Sequence, residues 1–291
     1  TRTLFILSFL IWPALQQFVF YFVVNAQYII MAFQRSVPGT TVRYWTLDNF
    51  RRIIVEGFQG GEPLLKEATI NTLSFFSFNF FIMTPVNIMV GYFFYKKMPL
   101  YKVYRFIFYL PAVIPATVLA TLFKYIIAPD SSGLISSLLA NIGVQMPNLL
   151  GSSEYAMKTL IVYAAWTGVT GFLLNSNAMN RVPTEIVESA RLDGVTPVQE
   201  VVRILVPLIW PTIATSLLLS VMNIFTSSGP ILLFTQGNHG TYTVAYWLFE
   251  KVMTNTNMEY AAAVGIFYTL LGFPFLLVTR WLSKRVEEVE Y

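Results

Sequence analysis

Four acids, Glu185, Glu188, Asp193 and Glu200, crowd into one polar stretch, residues 184–207, between two charge-free apolar segments. Carboxylates this close could hold a metal ion or relay protons. The residues around them argue for another use. Pro183 with Glu185 and Glu188 suits a helix start, where proline has no N–H to lose and carboxylates face the positive end of the dipole. Gly194 supplies the left-handed residue that commonly ends a helix. Thr196, Pro197 and Gln199 restart one: a Thr cap, a proline at the first helical position and a Gln that closes a capping box. The spacing predicts two short helices with a sharp bend between them, their acids solvated or facing a partner protein. The alternative is a chance amphipathic loop.

Other reactive side chains are few. His239 is the single histidine, in a Gly/Asn-rich loop where a surface role outweighs a ligand or base. Cysteine is absent, which excludes disulfides, thiolate metal sites and cysteine nucleophiles. No Gly-rich phosphate loop of the Walker type occurs, so the chain is not expected to bind or hydrolyse ATP. No catalytic residue, metal site or cofactor of its own is expected. The net charge of +4 comes without a basic stripe interleaved with aromatics. It suits contact with anionic lipid rather than nucleic acid.

The elements that carry the loop are membrane helices. Hydrophobic residues make up 55% of the chain and charged residues 12%, against about 25% charged in a soluble domain. No charge falls between Arg2 and Arg35, Glu67 and Lys96, Arg105 and Lys124, Lys158 and Arg181, Arg203 and Glu250, or Glu259 and Arg280. A spanning helix needs about 20 mostly apolar residues, so these intervals predict six spans in an all-α, polytopic chain. Ser227 to Pro230 and Gln236 to Gly240 break up the long fifth interval, leaving one helix and a structured loop. Residues 131–153 read as an interfacial loop. In the first span Pro13 predicts a kink, Asn25 and Gln27 mark the exit from the bilayer, and the length predicts tilt or projection.

Basic residues set the orientation. Lys96, Lys97, Lys102 and Arg105, then Arg181, Arg191 and Arg203, then Arg280, Lys284 and Arg285 place both termini and the polar stretch in the cytoplasm. Residues 35–66 dissent: Arg35, Arg43, Arg51, Arg52 and Lys66 lie on the assigned outer side, alternating with acids in what reads as a small folded element. Inside the spans stand Asn71, Asn79, Asn87, Asn175, Asn177 and Asn223. An amide in hydrocarbon is costly unless paired, so each serves an interhelical bond or a wet cavity.

The polar stretch resembles the signature loop of permease subunits of binding-protein-dependent ABC importers. Glu188-Ser189-Ala190, Gly194 three residues on and Ile204-Leu205-Val206-Pro207 after nine more match that family's Glu-Ala-Ala, Gly and Ile-x-Leu-Pro spacing. Ser189 and Val206 are the departures. Val182-Pro183 and Arg191-Leu192-Asp193-Gly194 are similar to the carbohydrate-importing branch. Asn71-Thr-Leu73, Lys102-Val-Tyr-Arg105, Thr235-Gln-Gly237 and the run from Tyr260 to Gly265 resemble further stretches in family order. The resemblance implies a single transmembrane domain over residues 1–291 with the type I importer permease fold and a coupling loop at about 182–207. Glu185, Glu188, Ser189, Ala190, Asp193, Gly194 and Pro207 would then engage an ATPase subunit. Asn223 falls where maltose-type permeases, which the chain resembles, place a sugar-contacting Asn. Trp166 and Gly168 match a Trp-x-Gly pattern whose Gly lines the sugar pocket. Met222 and Thr226 stand where that pocket has other side chains, a departure that puts maltose itself in doubt.

The short N-terminal form is more similar to permeases for oligo- and polysaccharides, including alginate importers. The implied assembly holds a second homologous permease, two ATP-binding cassette ATPase subunits carrying ATP and Mg, and a solute-binding protein that delivers carbohydrate to a bacterial inner membrane. A secondary transporter or channel for a small polar solute is the other reading of a six-span chain, and a membrane-embedded enzyme the third.

Overall fold

A segment inside a bilayer has no water to satisfy its backbone, so long apolar runs fold as helices. The computed structural model describes residues 2–37, 42–59, 63–130, 132–225 and 229–285. Among the described residues, four helices are long and apolar enough to cross a membrane: Ser8–Ala32, Leu64–Tyr95, Ala156–Met179 and Met258–Trp281. Two bent pairs pass the same test together, Tyr101–Val113 with Ala116–Ile126 and Pro197–Leu208 with Trp210–Met222. In chain order these six are the first to sixth segments, in an all-α polytopic fold.

Prolines decide where the segments bend. The third is not a straight span: its helices meet at 111°. Pro115 denies the helical region to the residue before it, and Ile114 is extended, with ψ 133°. The fifth bends by 77° at Ile209, between Pro207 and Pro211. The second and fifth each contain a π-helical turn, Phe78–Met83 and Glu200–Leu205, overlapping the carbonyls that Pro85 and Pro207 leave without an N–H four residues on. The wider turn absorbs that gap. The first segment continues as helix through Pro13 and contains the π turn Phe18–Val23. It continues past Asn25 and Gln27 to Ala32, and Asn25 Nδ2 donates to the Tyr21 carbonyl of its own helix. Its 25 residues reach about 38 Å, longer than a hydrocarbon core of about 30 Å.

By internal contacts the chain forms two units. In the unit of residues 1–66 and 247–271, the strands Gln34–Ser36 and Arg43–Trp45 pair antiparallel with Arg35 opposite Tyr44. The amphipathic helix Asp48–Gln59 follows. Buried Asn49 fastens it, donating to the carbonyls of Ala32 (3.0 Å) and Gln34 (2.8 Å). Three basic residues of this stretch are partnered: Arg35 pairs with Asp48, Arg43 lies 3.8 Å from Glu259, and Arg52 stands over the Tyr260 ring.

The unit of residues 67–246 and 272–291 holds the polar stretch and the span asparagines. One buried cluster joins Tyr92, Met179, Val187, Val201, Leu205 and Ile209; another joins Leu119, Phe123, Ile127 and Tyr163. Phe94 stacks on Phe172 at 4.5 Å, packing the second segment on the fourth. The expected interfacial loop contains the helix Leu134–Ala140, and the stretch after the fifth segment contains Gly229–Phe234 and the start of Val244–Met253. Large apolar side chains such as Phe106, Leu122 and Leu270 stay exposed, as suits a lipid-facing surface.

Candidate functional site

Local capping chemistry builds the polar stretch. Its first helix is Thr184–Leu192, with Pro183 just before it in an extended conformation rather than inside its first turn. Val187, 2% exposed, is the apolar anchor. At the far end Val195 N–H bonds the Ala190 carbonyl (3.2 Å) and Gly194 N–H the Arg191 carbonyl (3.0 Å), the paired bonds of a Schellman motif. That motif needs a left-handed residue, and Gly194 has φ +80°. The next helix opens with the expected capping box: Gln199 N–H donates to Thr196 Oγ1 (3.4 Å) and Thr196 N–H to Gln199 Oε1 (3.0 Å).

Glu185, Glu188, Ser189, Asp193 and Pro207 are exposed, and Ala190 is half-buried. Beside them stand three exposed apolar side chains that sequence reasoning passed over: Leu192, 89% exposed, Val198 and Val202. The surface is therefore mixed, acidic and apolar. Among the described residues, no three His, Asp or Glu side chains come together as a metal site.

Glu200 does not belong with the solvated acids. It is 3% exposed and ion-paired to Lys96 Nζ (2.6 Å) and Arg191 Nε (3.3 Å). The bond from Glu200 raises the Arg191 pKa above its ordinary value, so that guanidinium is charged at any working pH. Helical spacing gave no signal for this burial: Val201 and Leu205, one and five residues on, stand about 100° and 140° around an α-helix from Glu200.

The span asparagines sort into two groups. Asn71 is a clasp: Nδ2 donates to the carbonyls of Gly240 (2.9 Å) and Tyr242 (2.8 Å), and neighbouring Thr72 accepts from Val244 N–H (2.9 Å). It thereby fastens the turn that carries exposed, left-handed His239 (φ 60°). Asn79, Asn87, Asn175 and Asn223 line cavities. A first cavity of about 310 Å³ has Thr72, Asn79, Ser220 and Asn223 among its walls, with Phe75 and Phe76. A second of about 300 Å³ has Asn79, Asn87, Asn175, Thr170, Ser216 and Ser220. Asn79, Leu219 and Ser220 belong to both, so the two adjoin as one groove among the second, fourth and fifth segments.

Buried polar atoms behind the walls of that groove are incompletely paired. Asn87 Nδ2 donates to the Gly168 carbonyl (3.2 Å), while the Oδ1 atoms of Asn87 and Asn175 are buried without a hydrogen-bond partner. A Cβ on Gly171 would fall 2.9 Å from Asn87 Nδ2, so a larger residue there would shift that amide. Asn223 ends the helix Trp210–Met222 and donates to the Leu219 carbonyl (2.9 Å). Gly168 lines the second cavity. Trp166 and Met222 line neither: Trp166 stacks on Phe123 at 6.0 Å, and Met222 is exposed. Asn177 is exposed outside both cavities, and Thr226 lies outside the described residues.

Comparison with known proteins places this arrangement. Residues 83–288 match the model of a family described as binding-protein-dependent transport system inner membrane component. The arabinooligosaccharides transport system permease protein AraP of Bacillus subtilis (strain 168) is 24% identical over 285 residues, covering 96% of this chain and 86% of the relative. The probable ABC transporter permease protein YurN of the same organism is 30% identical over 191 residues, 64% of this chain and 65% of that one. Among solved structures, a chain of a bacterial ABC transporter involved in import of the acidic polysaccharide alginate superposes with a TM-score of 0.83. It is 21% identical and covers 99% of this chain and 98% of that chain.

Proposed function

The chain belongs to the family of binding-protein-dependent transport system inner membrane components, and from that premise we propose that it is the permease subunit of an ATP-driven importer for a neutral oligosaccharide. One observation carries the reading: the groove of amides and hydroxyls running among the second, fourth and fifth segments. Amides and hydroxyls both donate to and accept from sugar hydroxyls. The likeness to an arabinooligosaccharide permease along 96% of the chain supports the same substrate class.

Charge narrows that class. No charged residue occurs between Glu67 and Lys96, Lys158 and Arg181, or Arg203 and Glu250, the intervals that supply the groove. A uronate carboxylate there would lose its water without gaining a counter-charge, an effective penalty of several kcal/mol. An acidic polysaccharide would need cations from a second permease; a neutral one needs none.

In this reading the capped loop is the handle for the ATPase. Glu185, Glu188, Ser189, Ala190, Asp193 and Pro207, with Leu192 at the tip, present a mixed surface to a groove on that subunit, the helix-in-groove mode of recognition. Two ATPase subunits hold the ATP and Mg, a second homologous permease completes the pathway, and a solute-binding protein delivers sugar from outside. The chain itself needs no cofactor and performs no catalysis. Both termini and the loop face the cytoplasm, a reading that the basic residues at the other span ends support. ATP-driven closure moves the two permeases' loops together and opens the groove outward, which is alternating access.

Uptake by cells expressing the complete transporter tests the substrate class. Labelled arabino-oligosaccharides should enter and compete with one another, and oligouronates of equal length should neither enter nor compete. Entry of the uronates alone would reject the neutral substrate; entry of neither would reject carbohydrate.

A further inference from the structure

Glu200, Lys96 and Arg191 form a charge cluster that the transport reading leaves unused. The carboxylate is 3% exposed and takes both cations: Lys96 Nζ lies 2.6 Å from Oε1 and 2.8 Å from Oε2, and Arg191 Nε lies 3.3 Å from Oε2. Lys96 stands over the rings of Tyr92 (5.2 Å) and Tyr95 (5.9 Å). Tyr92, Val187, Val201 and Leu205 form the apolar cluster beside it.

The three charges come from three elements. Lys96 caps the second segment, Arg191 sits in the last turn of the loop helix Thr184–Leu192, and Glu200 opens the π turn of the fifth segment. A buried ion cluster is a poor source of net stability, but it is strict about geometry, since displacing one member strands the others without water. Two of the elements joined also line the groove. The second segment carries Asn79 and Asn87, and the fifth carries Ser216, Ser220 and Asn223.

We propose that Glu200 is a positioning residue: it locks the loop helix to the second and fifth segments, so that movement of the handle is passed to the helices that wall the groove. Arg191 ties the two helices of the loop to each other across Gly194, and Lys96 ties that bent unit to the second segment. Apolar packing alone would let these elements slide; the shared carboxylate fixes one register. The transmission half of this proposal rests on the importer reading, and the anchoring half does not.

The complete transporter in proteoliposomes, with its binding protein and arabino-oligosaccharide inside the assay, tests both halves. The readouts are ATP hydrolysed per sugar imported and the mobility of a spin label at Thr184→Cys, the exposed first residue of the loop helix and a unique site in this chain, which has no cysteine. Glu200→Gln should raise the ATP-to-sugar ratio about fivefold or more, the lower end of coupling between two sites, and should free the label. Lys96→Met should do the same, and the double variant should cost no more than either alone, as partners in one interaction do. Because a lone buried cation can prevent folding, an apolar variant, Lys96→Met with Arg191→Met and Glu200→Leu, is made alongside; it should assemble and still be uncoupled. An unchanged label in Glu200→Gln, or in the apolar variant if Glu200→Gln fails to assemble, overturns the anchoring. A ratio within about twofold of wild type in the same protein overturns the transmission. A wild-type complex without binding-protein-stimulated ATPase activity would reject the importer reading instead, and the label would still judge the anchoring.

Discussion

Replacing Gly194 by valine isolates the backbone of the coupling loop from its packing. A Cβ built at Gly194 meets nothing within 4 Å, yet the residue has φ +80°. The cost is therefore conformational rather than steric. An L-residue held in the left-handed region costs about 1–2 kcal/mol, and β-branching puts valine at the upper end. If the loop instead abandons the turn, it forfeits the bonds from Val195 to Ala190 and from Gly194 to Arg191, about 0.5–1.5 kcal/mol each. The two routes cost about the same, near 2 kcal/mol, which shifts the bend about thirtyfold toward other geometries. Gly194→Asn is the control, because asparagine tolerates the left-handed region and its Cβ has open space. Uptake and ATP turnover of the purified transporter should show valine about tenfold down in uptake with assembly intact, and asparagine close to wild type. Valine importing at the normal rate would refute the claim that this bend is the handle, and asparagine failing like valine would refute the backbone argument.

Asn223→Ala should reduce uptake roughly two- to tenfold, as loss of one sugar hydrogen bond at about 0.5–1.5 kcal/mol implies, without lowering the detergent melting temperature. Early melting with proportionate uptake would make it a structural clasp. Asn71→Ala should do the reverse, since it strands the carbonyls of Gly240 and Tyr242: the complex should melt earlier while uptake per folded complex holds, and an unchanged melt refutes the clasp. Impermeant lysine reagents on spheroplasts should modify exposed Lys66 and spare exposed Lys97; the opposite pattern inverts the topology.

What was legible in the sequence was what short-range chemistry determines. The Schellman turn at Gly194 and the capping box from Thr196 to Gln199 form among residues six apart or fewer, so residue types at fixed offsets announce them. The apolar intervals likewise mark the six segments, because a bilayer demands one length and one composition. The bend of the third segment was only half legible. Pro115 signals a break, but the angle of 111° depends on what each half packs against. Asparagines looked alike in sequence because burial and partner decide their use: Asn71 meets carbonyls 169 and 171 residues away, while Asn79 meets a cavity. Glu200 misled for the same reason, as its cation Lys96 lies 104 residues upstream. Trp166 matched a motif, and its ring, 40% exposed, packs on Phe123 outside the lining of the two cavities.

The central claim is that this chain moves a sugar only when an ATPase drives its loop. The direct measurement is uptake of labelled arabino-oligosaccharide into proteoliposomes that contain the chain, its partner permease and the ATPases, with binding protein outside, ATP inside and no ion gradient. Sugar should accumulate only when ATP and binding protein are both present, and vanadate should stop it. Accumulation driven by an ion gradient without ATP would contradict the account and identify a secondary transporter.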